Sequence, residues 1–597
     1  MSRAFLPAWR FWLIVVVVAA SFGAVWARLY YLQVTDAPNL AAYAADSRQR
    51  TQRLEARRGD ITDLHGNLLA TARPVIDLGV DPHALTEADV SKLPQLAEIL
   101  KQPLNEVRSA CADLWREDSN GHQRAVRWKK LATLTEGDYQ RVLDLDFKAI
   151  YGNRRYERYY PANELAAHVV GYINKEGTPV MGVERYLDFY LEGQAGWRDI
   201  ERDGRRRELA MFRQRDVMPT DGLTVQLTID WVVQSMVERE IDKIVEKYNP
   251  EGVSIIVSDP RTGEIRAMGN YPKFDPNEFW EYPIENQRNR AVTDVYEPGS
   301  TFKIVAASGA LEEGLVTPDT IIDCSKPVVE YRGRRIRMPN DDHALGEIPV
   351  STVIAKSSNR GAATLGMMLG DQRMHDYAAS FGFGTETGWG PAGEVGGILH
   401  DVKDWDGLTI SRLPAGYAVS ATPLQVHMAM STIANDGVLM HPRVVHEIKD
   451  RNGNAIVEFT PRPRERVISD ETARKVRAML NRVVSTEGTA RRAMIDGYTV
   501  AGKTGTSRKI VNGHYSHREH VGSFSGFFPV SDPQVVITVM VNNPRFPGIG
   551  YGGVVAAPAF QSLGEQLASY YAIPRDDEDE SKRPGGLYVA QQMETVR

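Results

Sequence analysis

Ser300 and Lys303 stand three residues apart in EPGSTFKIVAASGALEEG, residues 297–314. A serine is a weak nucleophile until a base takes its proton, and a lysine becomes such a base when burial lowers its pKa. Pro298 and Gly299 are poor helix formers, whereas Ser300 suits the N-cap of an apolar helix that runs from Thr301 to Glu313 and stops at Gly314. On that helix Lys303 shares a face with Ser300, one turn deeper. A lysine on the core side of an apolar helix is costly unless its charge is matched or its proton is lost, so the pattern points to chemistry. A capping serine beside a snorkelling lysine has the same spacing.

Two other stretches bear on the choice. STVIAKSSN, residues 351–359, is a short apolar helix ending in Ser357, Ser358 and Asn359, which bring hydroxyls and an amide to a turn. TVAGKTGTS, residues 499–507, is a strand with Lys503, Thr504, Gly505 and Thr506 at its centre. Glycine there marks close approach of a ligand's backbone, and the neighbouring lysine and threonines suit a carboxylate; a lysine-protected edge strand is the plainer alternative.

The elements that must position these residues are legible in outline. Residues 221–248 give a short alternating strand and a long amphipathic helix, so a domain is expected to begin at Asp221. Strands at 252–258 and 264–269 flank the turn Asp259–Gly263, and three more are expected at 499–507, 521–529 and 534–542, with a mostly helical body between the groups. This predicts an α+β fold, an α/β sandwich with one antiparallel sheet built from both ends of the domain.

Upstream, RRGDITDLHGNLLA, residues 57–70, predicts a hairpin, and helical spacing near residues 85–146 predicts a small helical insertion. Residues 11–27, FWLIVVVVAASFGAVWA, are uncharged and edged by Trp12 and Trp26, which predicts one membrane anchor. Arg3 and Arg10 place its N-terminal tail, residues 1–10, in the cytoplasm and export the rest; a cleaved signal peptide ending at Ala27 is the alternative. Residues 574–597, with DDEDE, are expected to be disordered.

At 597 residues the chain must hold several domains, and its net charge of −6 gives no basic surplus for nucleic acid. Cys111 and Cys324 cannot make a disulfide framework. His514, His517 and His520 raise a metal reading, but a polar inter-strand loop explains them more simply; no metal and no cofactor is expected.

Taken together, Ser-x-x-Lys, Ser-x-Asn and Lys-Thr-Gly in one domain resemble the trio of β-lactamases and penicillin-binding proteins. With RRGDITDLHGNLLA, RYYPANELAAHVVG, GVERYLDFYLEGQAG and Arg202–Arg205, the chain resembles class B penicillin-binding proteins, D,D-transpeptidases that cross-link peptidoglycan, from the anchor to about Ile573. The resemblance implies a non-catalytic pedestal over residues 28–220 and a transpeptidase domain over 221–573. It assigns Ser300 as nucleophile, Lys303 as base, Ser357 as proton relay to Lys503, and Asn359 as holder of the substrate amide. Ser358, Thr504, Gly505 and Thr506 are assigned to substrate, with the terminal carboxylate on Lys503, Thr504 and Thr506, and the backbone N–H groups of Ser300 and Thr506 form the oxyanion hole.

EPGSTFK, SSN and KTGT resemble the cell-division branch, although Ile304 replaces a usual proline and Leu64-His65 departs from the first pedestal motif. The implied partners are stem peptides, β-lactams, the plasma membrane, a glycan polymerase of the shape, elongation, division and sporulation (SEDS) family, and divisome proteins. An elongation-type enzyme, a water-using carboxypeptidase or penicilloyl-serine hydrolase, and a division scaffold or β-lactam sensor with little turnover are the competing readings.

Overall fold

A computed structural model describes residues 8–40, 49–117, 121–201, 216–391, 393–511 and 513–576. Two compact units emerge, one of Met1–Arg57 with Glu192–Gly222, the other of Arg58–Leu191 with Leu223–Arg597. Arg202–Arg205 and most of the acidic tail lie outside the described residues.

In the first unit, the apolar run forms a helix from Ala8 to Tyr30 with no buried residue. At 1.5 Å per residue its 23 residues span about 34 Å, enough to cross a hydrocarbon layer of about 30 Å. It outruns the uncharged segment, taking in Arg10 and Arg28, because arginine is a good helix former. The same unit holds strand Gln49–Leu54, antiparallel to Gly196–Glu201, which in turn pairs with Asp216–Val217.

The second unit is built round a five-stranded sheet: β1 (Gly252–Ser258), β2 (Ile265–Tyr271), β3 (Ala501–Val511), β4 (His514–Phe528) and β5 (Val535–Asn542). The order is β2-β1-β5-β4-β3 and every neighbouring pair is antiparallel, so two strands from the front of the domain join three from its end. Among its helices are α1 (Trp231–Tyr248), α2 (Lys303–Glu312), α3 (Asn359–Leu369), α4 (Pro423–Ala434), α5 (Asp470–Val483) and α6 (Ala557–Tyr570).

Alternation along β4 sorts the faces. Phe524 meets Phe560 of α6 edge-on, with ring centroids 4.8 Å apart, whereas Ser525 bonds Thr538 on the side where α4 packs. On the α6 side lies α1, started by the Asp230 carboxylate accepting from the N–H groups of Val232 and Val233. Its apolar stripe of Val233, Val237, Ile241 and Ile244 is buried. Gly269 of β2 admits that stripe: a Cβ there would stand 2.8 Å from Ile241 and Val237. On the opposite face, the α4 side chain His427 lies within 2.7 Å of the Ser258 hydroxyl and 2.9 Å of that of Thr538. Burial lowers its pKa to about 3, so the ring is neutral and ties helix to sheet with one donor and one acceptor nitrogen.

The unit contains a second sheet. Thr224–Leu227 does not open the main sheet; it pairs in parallel with Ile61–Thr62 and antiparallel with Val445–Lys449. Three of its four residues are buried, and such a strand needs a neighbour on both edges. Ile61–Thr62 also forms the expected hairpin with the long strand Leu68–Val80. That strand continues into pairings with Lys129–Leu134 and Ile150–Tyr159. The insertion has its own small core of Ile76, Leu78, Leu93, Leu96, Val107 and Tyr139. Beside helices Glu87–Leu100, Leu104–Ala112 and Glu136–Leu143 it contains strands that its helical spacing does not announce, because they are short and rich in charge.

Candidate active site

Pro298–Phe302 departs from the expected helix start. Residues Gly299–Phe302 form a 3-10 turn, α2 begins only at Lys303, and Ser300 lies inside the turn instead of capping the helix. Tertiary contact is the cause. Gly299 adopts φ +54°, and a Cβ on it would come within 2.8 Å of the Thr506 carbonyl on β3. Behind it, Gly299 N–H donates to the Gly416 carbonyl at 3.1 Å, and Gly416 is itself glycine because a Cβ would overlap the Gly299 carbonyl. The serine is thereby fixed against the strand that carries Lys503.

Lys303 is completely buried, and its Nζ donates to three oxygens: the Ser357 carbonyl at 2.5 Å, the Ser357 hydroxyl at 3.0 Å and Asn359 Oδ1 at 2.7 Å. Desolvation lowers its pKa to about 7, outweighing the opposite pull of Asp341 and Asp342. Lys503, equally buried, reaches the same Ser357 hydroxyl at 3.0 Å. Burial first, and the Lys303 charge second, push its pKa well below the ordinary lysine value. One hydroxyl therefore joins two amines, neither of which holds a proton as firmly as a lysine in water.

Asn359 opens α3, and Ser358 is its N-cap. The Ser358 hydroxyl is buried, accepts from Gly361 N–H at 2.9 Å and donates to Asp341 at 2.7 Å. Both of these bonds serve the helix start. Ser357 adopts φ +61°, a left-handed conformation that is uncommon outside glycine and is stabilised here by the bonds on either side. Asp341 and Asn340, which accepts from Asn359 Nδ2 at 2.7 Å, were not singled out from sequence; the only signal was a polar turn, Pro339-Asn340-Asp341.

On β3, Gly505 is closely approached by the protein itself. A Cβ would meet the Ser523 hydroxyl at 2.4 Å and the Pro298 carbonyl at 2.9 Å, so the backbone that approaches it is the protein's own nucleophile turn. The Thr504 hydroxyl is 3.1 Å from that of Thr489, and the Thr506 hydroxyl accepts from Gly552 N–H at 3.2 Å. β3 is the edge strand of the sheet, which leaves backbone groups on its outer side for a ligand. A cavity of about 380 Å³ beside the turn is walled by Tyr296, Glu297, Ser507, Arg508 and Lys509 but not by Ser300 or the two buried lysines. Its wall residue Glu297, whose pKa burial raises, accepts from Tyr515 and from Ala418 N–H.

The histidine-rich segment is strand, not loop: β3 runs to Val511 and β4 starts at His514. Among the described residues, no group of three His, Cys, Asp or Glu side chains is arranged to hold a metal ion.

Comparison with known proteins places these features in a family. Residues 253–565 match the model of the penicillin binding protein transpeptidase domain, and residues 53–227 match that of the penicillin-binding protein dimerisation domain. Stage V sporulation protein D of Bacillus subtilis is 32% identical over 93% of this chain and 85% of its own length. Peptidoglycan D,D-transpeptidase FtsI of Escherichia coli is 30% identical over 93% of this chain and 91% of its own. Among solved structures, penicillin binding protein 3 of Mycobacterium tuberculosis, complexed with aztreonam, superposes with a TM-score of 0.66 at 29% identity, covering 88% of this chain and 98% of that one.

Proposed function

The chain belongs to the class B penicillin-binding proteins and is a peptidoglycan D,D-transpeptidase, and from that premise we propose how its own residues carry the reaction. Ser300 Oγ attacks the carbonyl of the penultimate D-Ala of a stem peptide. The neutral Lys303 amine takes the serine proton, directly or through Ser357. The C–N bond to the terminal D-Ala breaks, and the leaving nitrogen receives its proton from the chain Lys303, Ser357, Lys503. An amine of a second stem peptide then attacks the acyl-enzyme, forming the cross-link and restoring Ser300. The observation that carries this reading is the Ser357 hydroxyl lying 3.0 Å from both buried amines. A proton can cross between them without passing through water.

Substrate holding follows from the remaining valences. Asn359 uses one Nδ2 hydrogen on Asn340 and keeps the other for the substrate amide carbonyl. Thr506, whose oxygen accepts from Gly552, keeps its hydroxyl hydrogen for the terminal carboxylate, next to the Thr504 hydroxyl and the Lys503 amine. The backbone N–H groups of Ser300 and Thr506 serve as the oxyanion hole, where each donor is worth about 10²–10³ in rate. As a family member the enzyme binds β-lactams, whose ring carbonyl enters the same path and stays on the serine. Ser358 and Gly505 act by holding the site together.

For the wider setting we favour the septal branch, on EPGSTFK, SSN and KTGT, with the N-terminal helix as a single-pass anchor that leaves the catalytic domain outside the cytoplasm and docks a SEDS-family polymerase and divisome proteins. The transfer step is tested with a thioester stem-peptide analogue and a D-amino acid acceptor. Exchange product that rises with acceptor concentration is the expected result; hydrolysis alone would make the enzyme a carboxypeptidase.

A further inference from the structure

The loop that leads to Asp341 supplies a part of this site that the three motifs leave out. The Asp341 carboxylate receives three donors: the Ser358 hydroxyl at 2.7 Å, Asn359 N–H at 2.5 Å and Arg360 N–H at 3.2 Å. The two backbone donors are at the start of α3, where unpaired N–H groups favour an anion. Its neighbour Asn340 accepts from Asn359 Nδ2 at 2.7 Å. With that arm of the amide committed as donor, the arm turned to Lys303 must be the oxygen, Oδ1. One short loop thus fixes the backbone of the Ser357–Asn359 turn from behind and the orientation of the amide in front.

We propose that Asp341 is a positioning residue for acyl transfer, holding through this turn the Ser357 and Asn359 oxygens that seat the Lys303 amine. The inference rests on the roles of Ser300 and Lys303 proposed above. Its charge has a second effect. The charged groups around Lys303 are Lys503 from β3, and Asp341 and Asp342 from the loop, and the two aspartates favour the protonated amine against the stronger effect of burial. Removing the Asp341 charge makes the amine easier to deprotonate, so acylation should reach its plateau at lower pH.

The test measures the second-order rate of acylation by a fluorescent penicillin from pH 5.5 to 9, on the full chain in detergent, with the thermal midpoint followed in parallel. Asp341→Asn keeps an oxygen for the two N–H groups but loses the charge, and its acid limb should move down by about 0.5–1 pH unit. Asp341→Ala loses the clamp as well as the charge, and its plateau rate should fall at least about 10-fold. Asp341→Glu retains the charge one methylene out of place, and should keep the wild-type limb with a lower plateau. An acid limb for a folded Asp341→Asn at or above the wild-type pH would overturn the inference, as would a wild-type rate in Asp341→Ala. If the asparagine variant does not fold, the glutamate variant decides, since a full wild-type rate at every pH overturns positioning. Wild type that never acylates Ser300 would sink the underlying reading as well; variants behaving like an active wild type sink this inference alone.

Discussion

Lys303 has a pKa near 7 because burial penalises its charge more than the neighbouring aspartates favour it. Only the neutral amine can accept the serine proton, so acylation should climb with pH, reach half its maximum near pH 7 and level off above. A profile flat from pH 5 to 9 would remove Lys303 from the role of base. Lys303→Arg should lower the rate by at least about 10²–10⁴, because a guanidinium cannot be deprotonated in this range. At this scale the sequence is most legible. Ser300, Lys303, Ser357, Asn359 and Lys503 lie in motifs whose spacing is local; the structure joins the Lys303 and Lys503 amines through the Ser357 hydroxyl and sets the Asn359 oxygen on Lys303. Asp341 was hidden because its partners lie 17–19 positions downstream, and nothing in a polar turn says which helix it will cap.

The elements show why a local reading misplaces detail. Ser300 reads as an N-cap, yet Gly299 is pulled to φ +54° by contact with Thr506 and Gly416, and the helix starts three residues later than the serine. Both contacts come from segments more than a hundred positions away, which local propensity cannot see. The same packing yields a prediction for Gly505. In Gly505→Ala the new methyl would collide with the Ser523 hydroxyl and the Pro298 carbonyl, displacing the turn that bears the nucleophile. Overpacking of this kind costs about 1–3 kcal/mol. Acylation should drop at least about 10-fold while the thermal midpoint falls by only a few degrees; a variant that labels at the wild-type rate would show that the turn is not held by β3. Thr224–Leu227 carries the same lesson, since its alternation is visible but its partners, Ile61 and Val445, are not.

Across the whole molecule, fold class and membrane helix were readable because they depend on patterns summed over many residues. The second sheet was not, since it joins Ile61, Thr224 and Val445 from three distant stretches. Stability away from the catalytic centre has its own focus in Glu184, fully buried between Arg58 at 2.9 Å and Arg158 at 2.6 Å, with Tyr160 at 3.2 Å. Glu184→Ala leaves two guanidinium groups without their shared partner and should destabilise the chain by about 3–5 kcal/mol, read by denaturant unfolding. Penicillin labelling should persist in the fraction that remains folded; loss of labelling without loss of stability would give this cluster a part in catalysis. The central claim is that one serine, Ser300, forms the acyl-enzyme. Intact-mass analysis with peptide mapping after exposure to a penicillin, on wild type and on Ser300→Ala, tests it most directly. The account predicts one penicilloyl adduct on the peptide containing Ser300 and none on the folded variant; an adduct that persists in Ser300→Ala, or maps to another residue, would contradict it.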